Sequence, residues 1–166
     1  MIFVTVGSSM SFDRLVCALD EWAGLHGRTD VFAQIGQSDY RPKYIRAVQF
    51  MDPSEFRERV RLSSLVVAHA GMGSIITALE LGKHIVVMPR REHLGETRSD
   101  HQVATAKHFE QLPNIVVAYD ESELASKIDQ AEKLPLANQG PPSASPRLIS
   151  AVHDFISNTP ACPAEF

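Results

Sequence analysis

The stretch LVVAHAGMGSIITALELGKHIVVMP, residues 65–89, decides how the chain is read. Leu65 to Ala68 is an apolar run that stops at His69-Ala70-Gly71-Met72-Gly73-Ser74. A helical segment from Ile75 to Leu81 follows, Gly82 closes it, and a second apolar run leads to Pro89. The expected order is strand, glycine turn, helix, strand. Glycines at such a turn let the backbone approach a ligand, and the first amides of the helix behind them have no intrahelical partners. Those amides and the positive end of the helix dipole suit an anion, phosphate above all. Gly71, Met72, Gly73 and Ser74 are therefore the candidate diphosphate cradle. The same glycines would also serve a turn that binds nothing. His69, which chain reversal does not require, is the residue that favours a ligand.

Working outward, Ile2 to Val6 reads as a strand ending at Gly7-Ser8-Ser9, and Ser11-Phe12-Asp13 opens a helix carrying Leu15, Leu19 and Trp22. Val31 to Ile35 is a second strand and Val48 to Met51 a short third one. Asp52-Pro53 then starts a helix whose charges alternate from Glu55 to Arg61. Beyond the central stretch, Pro89 to Ser99 is a charged loop, Asp100 to Leu112 a helix, Ile115 to Ala118 a last strand and Glu121 to Leu134 a helix. Residues 135–146 hold four prolines and read as a linker, 147–158 as a terminal amphipathic helix, and 159–166 as a frayed tail. Alternating strands and helices at this spacing imply an α/β fold, a single Rossmann-like doubly wound parallel sheet over residues 1–134. Such sheets bind ligands at their carboxyl edge, where the charged loop lies.

Composition narrows the function. The chain has 166 residues, enough for one domain of ordinary size. No apolar run approaches the roughly 18 residues that span a bilayer, and Met1 runs straight into a strand, so neither a membrane span nor a secretory leader is expected. A net charge of −4 argues against general affinity for nucleic acid. Cys17 and Cys162 are isolated thiols, consistent with a reducing cytoplasm and with neither a disulfide framework nor a zinc site. His93 and His101 lack a third ligand in register, so no metal is expected. No GxGxxG follows the first strand and no GxxxxGK[ST] occurs, so nicotinamide and P-loop chemistry lack their usual residues.

HAGMGSIITALELGKHIVVMP, followed after the charged loop by Asp100-His101-Gln102, resembles the donor-binding domain of the family 28 glycosyltransferases, the C-terminal half of a GT-B enzyme. The opening FVTVGSS and the QFMDPSEF segment extend the resemblance over roughly residues 1–130. It is similar to the single-domain subunits of split transferases that build lipid-linked oligosaccharides, and to their bacterial counterparts in exopolysaccharide assembly. The resemblance implies a UDP-sugar as substrate, with no cofactor and no metal. His69 would lie at the phosphates as the catalytic side chain and Gly71–Ser74 on the diphosphate. Phe50, Met51, Thr77 and Glu80 would face the uridine, and Glu92, His93, Asp100 and Gln102 the sugar. Where many relatives carry a glutamate for the ribose hydroxyls, this chain has Thr77, with Glu80 three residues on. The implied partners are a membrane-anchored acceptor-binding subunit and a lipid-linked acceptor, which would hold the chain at the cytoplasmic face of a membrane. Arg90 and Arg91 would face that partner or anionic headgroups.

Overall fold

Strands with no polar alternation are stable only when helices cover both faces of the sheet. In a computed structural model, which describes residues 1–135, the elements run β1 (Ile2–Thr5), α1 (Asp13–Leu25), β2 (Val31–Gln34), β3 (Arg46–Val48), α2 (Pro53–Leu62), β4 (Leu65–His69), α3 (Met72–Glu80), β5 (Ile85–Met88), α4 (His101–Phe109), β6 (Ile115–Val117) and α5 (Glu121–Glu132). A short 3₁₀ turn, Glu92–Leu94, interrupts the charged loop. The linker from residue 136, the terminal helix and the tail lie outside the described residues.

The sheet is six-stranded and parallel throughout, in the order β3-β2-β1-β4-β5-β6. The expected doubly wound architecture is therefore observed. One core, built on Val4, Val67 and Met88, packs under Leu15, Leu19 and Trp22 of α1 and Leu124 and Ile128 of α5. The other, built on Phe3, Val66 and Val87, packs under Val60 of α2, Ile75 and Ala78 of α3 and Ala106 of α4. The chain leaves β1 toward one edge and β4 toward the other. The two loops that follow them part at the middle of the carboxyl edge and open a crevice there.

One departure from the sequence reading, and one unusual connection, bear on that edge. The third strand is Arg46–Val48 rather than Val48–Met51, so Phe50 and Met51 lie in the loop entering α2. The parallel crossover from β2 to β3 contains no helix, although such connections usually do. Its order comes from Asp20 on α1. That side chain is buried and accepts hydrogen bonds from the amides of Lys43 (2.8 Å), Tyr44 (2.8 Å) and Ile45 (3.0 Å) and from the Tyr40 hydroxyl (2.9 Å). Burial alone would raise the Asp20 carboxyl, but these four donors outweigh it and hold it below its ordinary value of 3.8.

Hydrogen bonds to a charged group contribute more than neutral ones, and losing several at once exposes unpaired amides. Asp20→Ala is expected to lower the unfolding free energy by about 3 kcal/mol in urea titrations at neutral pH. Because the folded-state value is depressed, the Asp20 contribution is present above pH 3.8 and lost as pH falls through the lower folded value. The variant should therefore lose less stability than the parent over that acid range.

Candidate functional site: an anion crevice at the strand switch point

The crevice is built from the loop after β1 and the turn after β4. Gly71 is the N-terminal flanking residue of α3, in extended conformation and with no side-chain cap. The first intrahelical bond runs from the Ile75 amide to the Gly71 carbonyl at 3.2 Å. The amides of Met72, Gly73 and Ser74 thus precede the helical ladder and point out of its end. Met72 is exposed, Ser74 is buried, and a Cβ placed on Gly73 would meet nothing within 4 Å. Gly73 is not in a left-handed conformation either. Its lack of a side chain keeps space open in front of the helix without relieving any backbone strain.

The glycines that the fold requires flank His69 instead. Gly7 has φ of 76° and a Cβ there would stand 2.8 Å from His69 Cε1. A Cβ on Gly71 would overlap His69 Nε2. The imidazole therefore fills the gap between the two loops, at the point where the strand order reverses. Nδ1 is buried with no hydrogen-bond partner. Burial, with a smaller contribution from the nearby Arg90 charge, pushes the His69 pKa down to about 4, so the ring is neutral at pH 7. A neutral imidazole carries one N–H and can donate one hydrogen bond to an anion in the crevice.

The charged loop forms the outer wall. Glu96 folds inward and pairs with Arg14 of α1 through two parallel bonds, Nε to Oε1 at 2.7 Å and Nη2 to Oε2 at 2.8 Å. It also accepts from the Arg91 amide at 2.8 Å. Arg14 bonds Glu121 at 2.8 Å and the Pro89 carbonyl at 3.2 Å, so one guanidinium joins α1, the loop and α5. The Glu96 hydrogen bond, with that of Glu121 and against the cost of burial, raises the Arg14 pKa further above its already high value. Between this wall and the β1–α1 loop lies a cavity of about 280 Å³ bordered by Met10, Ser11, Phe12 and Leu94. Asp100 Oδ1 accepts from the Glu92 amide at 2.9 Å, which pins the 3₁₀ turn to the start of α4. Gln102 is buried and accepts from the Arg90 amide at 3.2 Å.

The structure thus gathers His69, Gly71, Met72, Gly73, Ser74 and Gln102 at the centre of the carboxyl edge, with exposed Glu92, His93 and Asp100 on the rim. Phe50 is 47% exposed, and Met51 packs against the core beneath α2, the helix beside α3. Thr77 donates its hydroxyl hydrogen to the Gly73 carbonyl at 2.9 Å, inside the helix. Glu80 is not brought to the crevice: it ends α3, about 12 Å along the axis from Met72, and is paired with Arg57 at 2.9 Å. Arg90 and Arg91 do not form an outward patch. Arg90 is 4% exposed, and Arg91 is partly buried with its guanidinium on the Tyr119 carbonyl at 2.8 Å. The sequence reading passed over Gly7, Arg14 and Glu96. The visible signal for Arg14 was a basic residue in the first turn of a helix, where the dipole disfavours it unless carboxylates surround it. Among the described residues, no cluster of His, Cys, Asp or Glu could hold a metal ion, and no helix is long and apolar enough to cross a membrane.

A single doubly wound domain with an anion-suited crevice at its switch point has the architecture of one half of a GT-B glycosyltransferase. Residues 1–157 match the glycosyltransferase family 28 C-terminal domain, and the chain belongs to that family. It is 25% identical over 136 residues to the UDP-N-acetylglucosamine transferase subunit ALG13 of Yarrowia lipolytica, spanning 72% of this chain and 65% of that protein. It is 30% identical over 118 residues to the human subunit of the same name, spanning 65% of this chain but 10% of that protein. The NMR solution structure of ALG13 superposes with a TM-score of 0.60 at 18% identity, covering 94% of this chain and 96% of that one. MurG of Acinetobacter baumannii superposes with a TM-score of 0.61 at 17% identity, covering 95% of this chain and 49% of that one.

His69 has a titration signature that can be measured. Its folded pKa is about 4 against an ordinary 6.5, so between those values the unfolded chain binds a proton that the folded chain refuses. Its contribution to stability is therefore full above pH 6.5, declines as pH falls toward 4, and levels off below. His69→Gln should flatten that part of the profile in urea unfolding at a series of pH values. A slope identical to the parent's would mean that the ring titrates as if in water.

Proposed function

We propose that the chain binds a UDP-sugar at its carboxyl-edge crevice and serves as the donor-binding subunit of a glycosyltransferase. In this reading the sugar passes to a lipid-linked acceptor held by a membrane-anchored partner. What supports the reading is the set of Met72, Gly73 and Ser74 amides ahead of the first intrahelical bond of α3, the free space at Gly73 and the His69 ring packed against Gly71 beside them. Backbone amides at a helix end are fixed donors. They need no reorganisation when charge appears in front of them, which is what a leaving diphosphate requires.

The chemistry follows from that placement. An acceptor hydroxyl attacks the anomeric carbon, the bond from that carbon to the phosphate oxygen breaks, and UDP departs with the electron pair. The amides of α3 and the N–H of His69 take up the growing negative charge on the diphosphate, and no metal is invoked for the purpose. The hydroxyl proton goes to a base on the partner, because a transferase of this architecture closes a second domain over the acceptor. Glu92, His93 and Asp100, on the rim, and Gln102, behind it, are assigned to the sugar. Phe50 and Met51, at the entrance to α2, are assigned to uracil. Thr77 remains as an acceptor for a ribose hydroxyl, since its own proton is engaged with Gly73. Glu80, held by Arg57, is withdrawn from that role. The relatives named as subunits of a UDP-N-acetylglucosamine transferase support N-acetylglucosamine as the first sugar to test and a complex with a second subunit; a cytoplasmic, membrane-peripheral setting is part of the same proposal.

Gly73→Val tests the cradle with little cost to the fold, since a Cβ there meets no atom within 4 Å and the backbone is not left-handed. It should retain the parent's thermal midpoint while weakening UDP at least about tenfold in isothermal titration. Ser74→Ala should cost about 1 kcal/mol of UDP affinity through one lost hydrogen bond. Unchanged UDP affinity in both would remove the cradle from the mechanism. Transfer is tested separately, with labelled UDP-sugars and lipid-linked acceptors, with and without membranes of the source organism. Activity that requires the membrane fraction is the expected outcome. Full activity of the isolated chain would refute the need for a partner, and UDP-sugar binding without transfer under either condition would favour a non-catalytic nucleotide-sugar-binding module.

A further inference from the structure

One buried charged group has no part in the chemistry above. Arg90 follows β5, and its side chain crosses the end of β4 to reach the loop behind β1. There Nη2 donates to the carbonyls of Val6 at 2.8 Å, Met10 at 2.6 Å and Ser11 at 3.4 Å. The guanidinium also lies 5.2 Å from the centre of the Phe12 ring. Among the described residues it forms no salt bridge, and Nε is buried without a partner. All three of its side-chain bonds leave from one nitrogen.

A cation is costly to bury without an ion pair of its own, and the one carboxylate that acts on Arg90, Glu96, is bonded to Arg14 instead. Bracing three carbonyls does not require a charge, because a neutral donor satisfies a carbonyl as well. The positive charge is explained if an anion supplies the missing partner. The Arg90 charge lies close enough to act on the His69 ring, and it is bonded to the carbonyl next to Gly7, the glycine that ring packs against. The position also makes mechanical sense, since one residue holds both the loop that carries Gly7 and, through its own amide, Gln102.

We propose that Arg90 is a positioning residue for the substrate's diphosphate: it fastens residues 6–11 as the second wall of the crevice and supplies a fixed positive charge that the bound anion neutralises. The inference rests on the donor-binding reading given above. It assigns anion preference to a side chain that touches no ligand directly, acting through the field across His69 and through the loop.

The test compares Arg90→Met, which keeps the stem and loses the charge, with Arg90→Lys, which keeps the charge and loses the fork. Affinities for UDP and for uridine are measured by isothermal titration on the full chain at low and moderate salt. Arg90→Met should weaken UDP at least about tenfold and uridine less than about twofold, and should reduce the salt dependence of UDP binding. Arg90→Lys should keep the UDP-to-uridine preference within about threefold of the parent. Equal losses for both ligands in Arg90→Met would reduce Arg90 to a loop brace and overturn the proposal. Should Arg90→Met not fold, Arg90→Lys decides alone, and a preference cut by more than about tenfold in that variant would overturn it. A parent chain that binds neither ligand would overturn the donor-binding reading together with this one. A parent that binds UDP, with a preference untouched by Arg90→Met, would overturn this one only.

Discussion

The imidazole of His69 occupies the space that two glycines leave free, and much of the crevice depends on that fit. Gly7 and Gly71 sit on the loops that depart from β1 and β4, the neighbouring strands from which the chain winds in opposite directions. A side chain on either glycine would strike the ring. The ring therefore measures the separation of the two loops, and through Gly71 the position at which α3 begins. Because it is held in a dry gap, it stays uncharged at neutral pH and presents a hydrogen-bonding edge, not a counter-ion, to whatever enters.

Charge in the crevice comes from elsewhere, and in two different forms. Arg14 is surrounded by Glu96, Glu121 and a carbonyl, so its charge is spent within the protein on closing the loop over α1. Arg90 bonds only carbonyls, and the nearest carboxylate that acts on it, Glu96, is itself bonded to Arg14, so Arg90 has no ion pair of its own among the described residues. Two arginines that look equivalent in the sequence thus have opposite electrostatic consequences, decided by whether a carboxylate lies within reach. The outward face expected of Arg90 and Arg91 fails for the same reason. A polar, charged run in the sequence says nothing about which of its members turn inward, and here carbonyls left by the β1–α1 loop draw Arg90 in.

The fold was legible because its strands are long enough and apolar enough to be distinguished from helices by glycine and proline punctuation alone. The turn from His69 to Ser74 was legible for the same reason: residue types that tolerate close backbone approach mark their own position. Less accessible were contacts closed over long separations, such as Arg14 with Glu96 or Asp20 with the amides of 43–45, where no local pattern announces the partner. The third strand was misplaced by about two residues because Val48 to Met51 is the more apolar run, yet pairing with Phe32 to Gln34 selects Arg46 to Val48. Glu80 was assigned by helical neighbourhood to Thr77, whereas its position at the far end of α3 gives it to Arg57.

The Asp20 nest gives the crevice an asymmetry in how it is fastened. The β4–α3 side is anchored by two central strands and the core under Ile75 and Ala78, a hydrophobic attachment indifferent to acid. On the other side, β3 is an edge strand reached by a helix-free connection whose order depends on one carboxylate. That connection leads directly to the loop bearing Phe50 and Met51. The two ends of the carboxyl edge therefore belong to different units of local stability. Protonating Asp20 would loosen the Phe50 end while leaving the glycine turn ordered, so one end of the carboxyl edge can yield to acid while the other keeps its shape.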